Sequence, residues 1–252
     1  MTQPNESPII TVERRKAITI IIAAIILSIA LGGGLMKVGS GFASRSSDGI
    51  TVTGSAKISA TADNAVWVLN VSLSSPAVAT AVKKVDADVA ALSNYLTKGG
   101  IPSTGLTLGA VSTYGNEEFV NGNSTGRILS YRANREVTVR SKDVQLISKL
   151  SQQIGSLLAT GINVNNYGPQ YYISNLPELR PQLMSEAMKD AKVRAQALTE
   201  AVGGKIGALV NVKAGPIQIT TPDSTMTADY GAYDTSTIEK TVTATVSVTF
   251  KS

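Results

Sequence analysis

The stretch EAMKDAKVRAQALTEAVGGKIG (186–207) ends in Gly203-Gly204-Lys205, two glycines followed by a lysine that could reach a phosphate. A phosphate-cradling loop needs G-x-x-x-x-G-K-[ST] after a strand and opening a helix. Here the glycines close a helical pattern and open a strand pattern. Carbonyls rather than N–H groups would face outward there, and a phosphate would be repelled. Thr80-x-x-Lys83 has the spacing of a serine–lysine nucleophile with threonine in place of serine, but Thr80 stands where a helix should start, so capping is the simpler reading. Glu117-Glu118 are adjacent in a polar stretch and cannot face one substrate unaided. Asp86 and Asp88 are two apart on a helix and diverge by ~200°. Glu186, Asp190 and Glu200 have basic neighbours that suit surface pairing. Asp223, Asp229 and Asp234 could ligate calcium, but their spacing is not that of an EF-hand loop.

The chain has no histidine and no cysteine. Imidazole bases, thiolate nucleophiles, disulfides and Cys/His zinc sites are therefore excluded. No catalytic residue, cofactor or metal ligand is expected, and the protein reads as non-enzymatic. The net charge is +5, and beyond residue 43 the charges, 19 Lys+Arg against 16 Asp+Glu, are dispersed without a block of five or more, which argues for a mixed solvated surface and against nucleic acid. The candidate contacts are aromatic: Tyr114, Phe119, Tyr230 and Tyr233 stand in two polar tips, where tyrosine is enriched at contact surfaces. If both tips project the same way, they form one binding or self-association edge.

The elements that would position these residues follow from periodicity. ITVTGSAKIS (50–59) and AVWVLNVSLSS (65–75) alternate as strands, the second with Trp67, Leu69, Val71 and Leu73 on one face. Val82, Val85, Val89, Leu92 and Leu96 make one stripe of an amphipathic helix, which Gly99-Gly100 stops. GLTLGAVSTYG and RILSYRANREVTVRS read as strands joined by a tip (116–125) too long for a two-residue turn. Asp143 caps a helix carrying Val144, Ile147, Leu150, Ile154 and Leu157. INVNNYGPQYYIS then reads as a strand, interrupted by Gly168-Pro169. The helix at 186 follows, with Ala187, Ala191 and Ala195 as a narrow packing face. Strand KIGALVNVKAG, a tip at 220–236 and strand TVTATVSVTF complete the chain. Strand–helix–strand–strand thus runs twice, about a hundred residues apart. The expected class is α+β: a largely antiparallel sheet with helices on one face.

Ahead of this domain (50–252), residues 1–16 form a polar tail ending in Glu13-Arg14-Arg15-Lys16, and residues 17–36 carry no charge. Twenty residues of helix span ~30 Å, the thickness of a bilayer core, and the basic cluster should stay cytoplasmic. A single-pass inner-membrane anchor is expected, with the C-terminal domain periplasmic or extracytoplasmic. A signal peptide cleaved after Gly41-Phe42-Ala43 is the alternative. Residues 37–49 read as a Gly/Ser-rich linker.

These pieces resemble one family. ITVTGSAKISATADNAVWVLNVSLSS is similar to the opening of SIMPL-domain proteins, with Val52, Gly54, Asp63 and Ala65 at matching positions and Ala56 and Ala62 departing from the usual glycine and proline. LTKGGIPSTGLTLGAVST resembles the region that follows, with Leu106 near the hydrophobic position and no matching aspartate. EAMKDAKVRAQALTEAVGGKIGALVNV resembles the family's alanine-rich helix and turn. Ala187, Asp190, Ala191, Ala195, Leu198 and Gly207 fit, while Arg194 and Thr199 replace lysine and alanine. The resemblance implies a bacterial envelope protein of the periplasmic immunogenic or oxidative-stress-defence-like type. It implies an α+β fold, ring- or channel-like homo-oligomers, and no catalytic residues to carry over. Two other functions compete: a monomeric adaptor that binds an unknown protein partner through the tips, and a carboxylate-dependent hydrolase uniting Glu117 or Glu118 with Asp223, Asp229 or Asp234.

Overall fold

The computed structural model of the chain describes residues 49–225, 228 and 230–251. The expected tail, the anchor at 17–36 and all of the linker but Gly49 lie outside these residues, as does Asp229. Along the chain the first elements are β1 (Gly49–Thr61), β2 (Asn64–Ser75), α1 (Val78–Lys98), β3 (Leu106–Leu108), β4 (Ser112–Val120) and β5 (Asn123–Ser141). Then come α2 (Val144–Gln153), the short α3 (Gly155–Leu158), β6 (Val164–Tyr172), α4 (Leu176–Ala201), β7 (Leu209–Ala214), β8 (Gln218–Thr220) and β9 (Glu239–Lys251). None of the described helices is long and apolar enough to cross a membrane.

Where one sheet was expected there are two, both antiparallel. One runs β3-β5-β2-β6, with β4 also on β5; the other runs β1-β9-β7, with β8 also on β9. The order strand–helix–two strands–long strand occurs twice, as β2-α1-β3-β4-β5 and as β6-α4-β7-β8-β9. Yet β6 pairs with β2, and β1 takes the place beside β9. Consecutive strands β1 and β2, separated only by Ala62-Asp63, therefore belong to different sheets, and alternation within each strand cannot reveal that.

Each sheet has its own core. Trp67, Leu69 and Val71 of β2 meet Val85, Val89, Leu92 and Leu96 of α1 and Ile147 and Leu150 of α2, so both helices lie on one face of the first sheet. The Tyr95 hydroxyl ties them together by donating to the Leu150 carbonyl at 2.9 Å. Against the second sheet, Ala187, Ala191 and Ala195 of α4 pack on Val52, Val246, Val248 and Phe250. Leu183 continues this layer toward Val242 and Ile219.

Local chemistry sets the helix ends. Asp143 caps α2 as expected, its carboxylate accepting the Leu146 N–H at 2.9 Å. Thr80 is not a cap: α1 begins at Val78, with Ala77 at the cap position and no side-chain bond. Helix α4 begins ten residues before Glu186, at Leu176, with proline in its first turn, a position that tolerates the missing N–H. Both long helices end in the same hydrogen-bonded turn: Gly100 N–H to Thr97 O with Ile101 N–H to Leu96 O, and Gly203 N–H to Glu200 O with Gly204 N–H to Thr199 O. The two turns satisfy the terminal carbonyls in the Schellman arrangement, but Lys205 does not start the next strand as expected: β7 begins at Leu209.

The expected tip at 116–125 is not a loop. Strands β4 and β5 run on to Val120 and Asn123, closed by the two residues Asn121 (φ 50°) and Gly122 (φ 81°). Positive φ at both central positions is the signature of a type I′ hairpin turn, for which Asn-Gly is the preferred pair.

Candidate functional site

Past the Tyr131–Ser75 pair, β2 no longer accompanies β5, and β4 and β5 continue as a two-stranded arm. Phe119 (64% exposed), Val120, Ile128 and Leu129 lie on this arm in solvent. Its polar residues bind each other across the strands. Glu118 pairs with Arg127 at 3.3 Å and accepts from the Thr125 hydroxyl, and Glu117 accepts from the Ser124 hydroxyl. Both glutamates thus hold the arm together. Tyr114, exposed, pairs with Arg132 near the arm's base.

The other tip, between β8 and β9, folds back onto the body. Tyr230 is fully in solvent. Tyr233 instead packs against Tyr172 with ring centroids 5.9 Å apart, and its hydroxyl accepts the Ile173 N–H at 2.9 Å. The two tips lie at opposite ends of β2: the arm leaves near Ser75, while Tyr172, beneath Tyr233, pairs with Asn64. Eleven residues of strand separate them, roughly 35 Å, so Tyr114 and Phe119 share no edge with Tyr230 and Tyr233. For the same reason Glu117 and Glu118 do not converge with Asp223 or Asp234. Among the described residues no group of three carboxylates could hold a metal ion.

Lys240 was missed from the sequence. It occupies the inward position two residues before Val242 on β9 and is fully buried. Its Nζ donates to the Asp234 carbonyl at 2.7 Å, with the Asp234 carboxylate 3.7 Å away. Burial pulls the ammonium below the ordinary lysine range, and Asp234 partly offsets this. Burial would raise the Asp234 carboxyl, but the hydrogen bonds from Ser236 and the charge of Lys240 hold it below the carboxylate range. The β-alternation carried the signal, since an inward lysine in a strand of valines needs a buried partner.

The alanine face of α4 sits where β1 has no side chain. A Cβ on Gly54 would lie 2.2 Å from the Ala187 carbonyl oxygen and 2.4 Å from the Ala191 nitrogen. Beside this contact, the Asp190 carboxylate accepts the Ser55 N–H at 2.8 Å and pairs with Arg194 at 2.8 Å. The surface pairing expected of Asp190 is present, but the bond to β1 is the larger cause of its depressed pKa, ahead of Arg194. A similar clasp joins the β1–β2 turn to the start of α4. The Asp63 carboxylate accepts the Ser174 hydroxyl and, at 2.8 Å, the Ser174 N–H, and the hydroxyl bond leads in lowering its pKa. Gly54, Asp63, Asp190 and the alanines of α4, which carry part of the resemblance, thus hold helix to strand.

No curated protein matches the chain. The family described as "SIMPL: Protein of unknown function (DUF541)" matches residues 50–250, the span that holds both sheets and the Gly54, Asp63 and Asp190 contacts. The chain belongs to the SIMPL family.

Proposed function

We propose that this is a membrane-anchored bacterial envelope protein that works by self-assembly into a ring- or channel-like homo-oligomer and not by catalysis. Envelope or oxidative stress tolerance is the role the family resemblance suggests. The β4–β5 arm carries this reading. A two-stranded ribbon is marginal by itself in water, yet this one extends past its sheet with Phe119, Val120, Ile128 and Leu129 uncovered. Exposed apolar surface of this kind marks an interaction site.

A second uncovered surface supports a head-to-tail arrangement. On α4, Val193 and Leu198 face solvent, as does Val202 just past its end, and every residue of edge strand β7 is exposed, Leu209, Val210 and Val212 among them. Two different surfaces on one chain can generate a ring, in which the arm of one copy covers α4 and β7 of the next. The anchor at 17–36, twenty residues without a charge, would hold all copies on one side of the inner membrane. The twice-run strand–helix order supports descent from a duplicated unit, which a superposition of 64–141 on 164–251 tests. Native mass measurement of the full-length protein, with and without Phe119→Asp and Ile128→Asp, tests the assembly. A monomer that captures a different protein through the arm would favour the adaptor reading instead.

A further inference from the structure

A cleft of about 850 Å³ opens between α2, β6 and the segment leading into β9. That volume lies within the usual range for small-molecule sites. Helix α2 contributes Gln145, Ser148 and Gln152, a polar stripe at helical spacing that flanks its core residues Val144, Ile147 and Leu150. Strand β6 contributes Gln170, and the segment before β9 contributes hydroxyls such as that of Thr237. Among the described residues no lysine or arginine lines the cleft, and the carboxylate among them, Glu239, is engaged by the Thr61 hydroxyl at 3.0 Å. An anionic ligand would find no counter-charge here, and a cationic one little.

At the rim stands Tyr167, 89% exposed. It is held there from the core. Trp67 pairs with Pro169 and Leu69 with Asn166, so residues 167–168 form a bulge in β6. The buried Trp67 indole donates to the Asn166 side-chain oxygen at 2.8 Å, and the same oxygen accepts the Gly168 N–H at 3.0 Å. Gly168 takes φ +84°, a conformation glycine adopts without steric cost. Bulges of this kind re-aim side chains beside functional sites. The phenol is thus presented outward at the mouth of a cleft that joins amides and hydroxyls with apolar surface from Pro169, Pro222 and Ile238.

We propose that this cleft binds an uncharged oligosaccharide. A sugar ring has an apolar C–H face, which suits an exposed aromatic ring, and a rim of hydroxyls that donate and accept. Glutamine amides and serine or threonine hydroxyls match both roles. Gln170 is preset for this: its carbonyl oxygen already accepts the Tyr172 hydroxyl at 2.7 Å, which leaves its NH₂ to donate. The proposal is independent of self-assembly.

The test is calorimetric titration of full-length protein, in a detergent without a sugar head group, with chitotetraose and with maltotetraose. At least one should bind saturably with a Kd below ~1 mM. Tyr167→Ala should weaken that binding about tenfold or more, and Gln152→Ala should weaken it in the same direction. Both variants should keep the wild-type Tm, and Phe119→Ala, on the distant arm, should leave binding unchanged. The proposal is overturned by silence with both sugars, by binding indifferent to Tyr167→Ala, or by equal affinity for a neutral Gly-Ser tetrapeptide, which would mark a peptide site.

Discussion

The Asp190 carboxylate accepts the backbone N–H of Ser55 at 2.8 Å, one residue from the place where Gly54 lets α4 touch β1. Among the described residues strand β1 pairs with β9 alone, so this bond gives a donor on its other edge a partner. Close backbone approach and a charged acceptor together fix how the helix lies across the strand.

Gly54→Ala should therefore destabilise the domain. Its methyl would meet backbone atoms of Ala187 and Ala191, which cannot rotate away, and overpacking of this kind costs ~1–3 kcal/mol. For a domain of this size that is a fall in Tm of about 2–4 °C per kcal/mol. Ala191→Leu, which thickens the other side of the same contact, should act in the same direction. Thermal unfolding by circular dichroism measures both, and unchanged Tm values would show that the alanine face is not a packing surface.

Acid should weaken the clasps. Asp63, Asp190 and Asp234 all have depressed carboxyl pKa values in the folded protein. The unfolded chain then takes up protons first, at about pH 4. The stabilisation is complete above that value and is lost as pH falls through the lower folded values. Tm should hold near neutrality and fall below about pH 4, and it should fall less steeply in Asp63→Ala/Asp190→Ala. Parallel Tm–pH curves for wild type and the double variant would contradict the clasp.

Lys240→Met keeps the buried stem and removes the ammonium that holds the Asp234 carbonyl. Removing one partner of a buried charge pair leaves the other without its counter-charge and is destabilising, so Tm should fall. The segment between β8 and β9 should be cleaved faster in limited proteolysis, because its anchor to β9 is gone. Cleavage at the wild-type rate would mean that the other contacts, such as that of Tyr233 with Ile173, hold the segment alone.

Periodicity made most of the elements legible. Val85, Val89, Leu92 and Leu96 of α1, Val144, Ile147 and Leu150 of α2, the inward Trp67, Leu69 and Val71, and the alanine face of α4 are buried where their spacing places them, whereas Leu73, Val82 and Leu157 are only partly buried and the expected second helix breaks after Gln153. Sheet membership was not legible, because β1 and β2 look alike and their separation is decided by long-range pairing. The arm was legible but missed, since Asn121-Gly122 is the strongest short-range hairpin signal. Asp190 read as a surface ion pair because its spacing to Arg194 is local, whereas its bond to Ser55 spans 135 residues. The cleft beside Tyr167 had no signature beyond the Gly168-Pro169 interruption, because it is assembled from three separate segments.

Mixing variants separates a head-to-tail interface from a self-complementary one. Phe119→Asp/Ile128→Asp disables the arm, and Leu198→Asp/Val202→Asp disables the outer surface of α4. Each variant alone should be monomeric, and an equimolar mixture should form dimers and nothing larger, since one good arm meets one good receiving surface. Higher oligomers in the mixture, or in either variant, would rule out the arm-to-helix contact.

The most direct test is the native mass of the full-length protein in detergent at micromolar concentration. A closed homo-oligomer that Phe119→Asp/Ile128→Asp reduces to monomers is the predicted result. A wild-type protein that is monomeric under those conditions would contradict self-assembly as its mode of action.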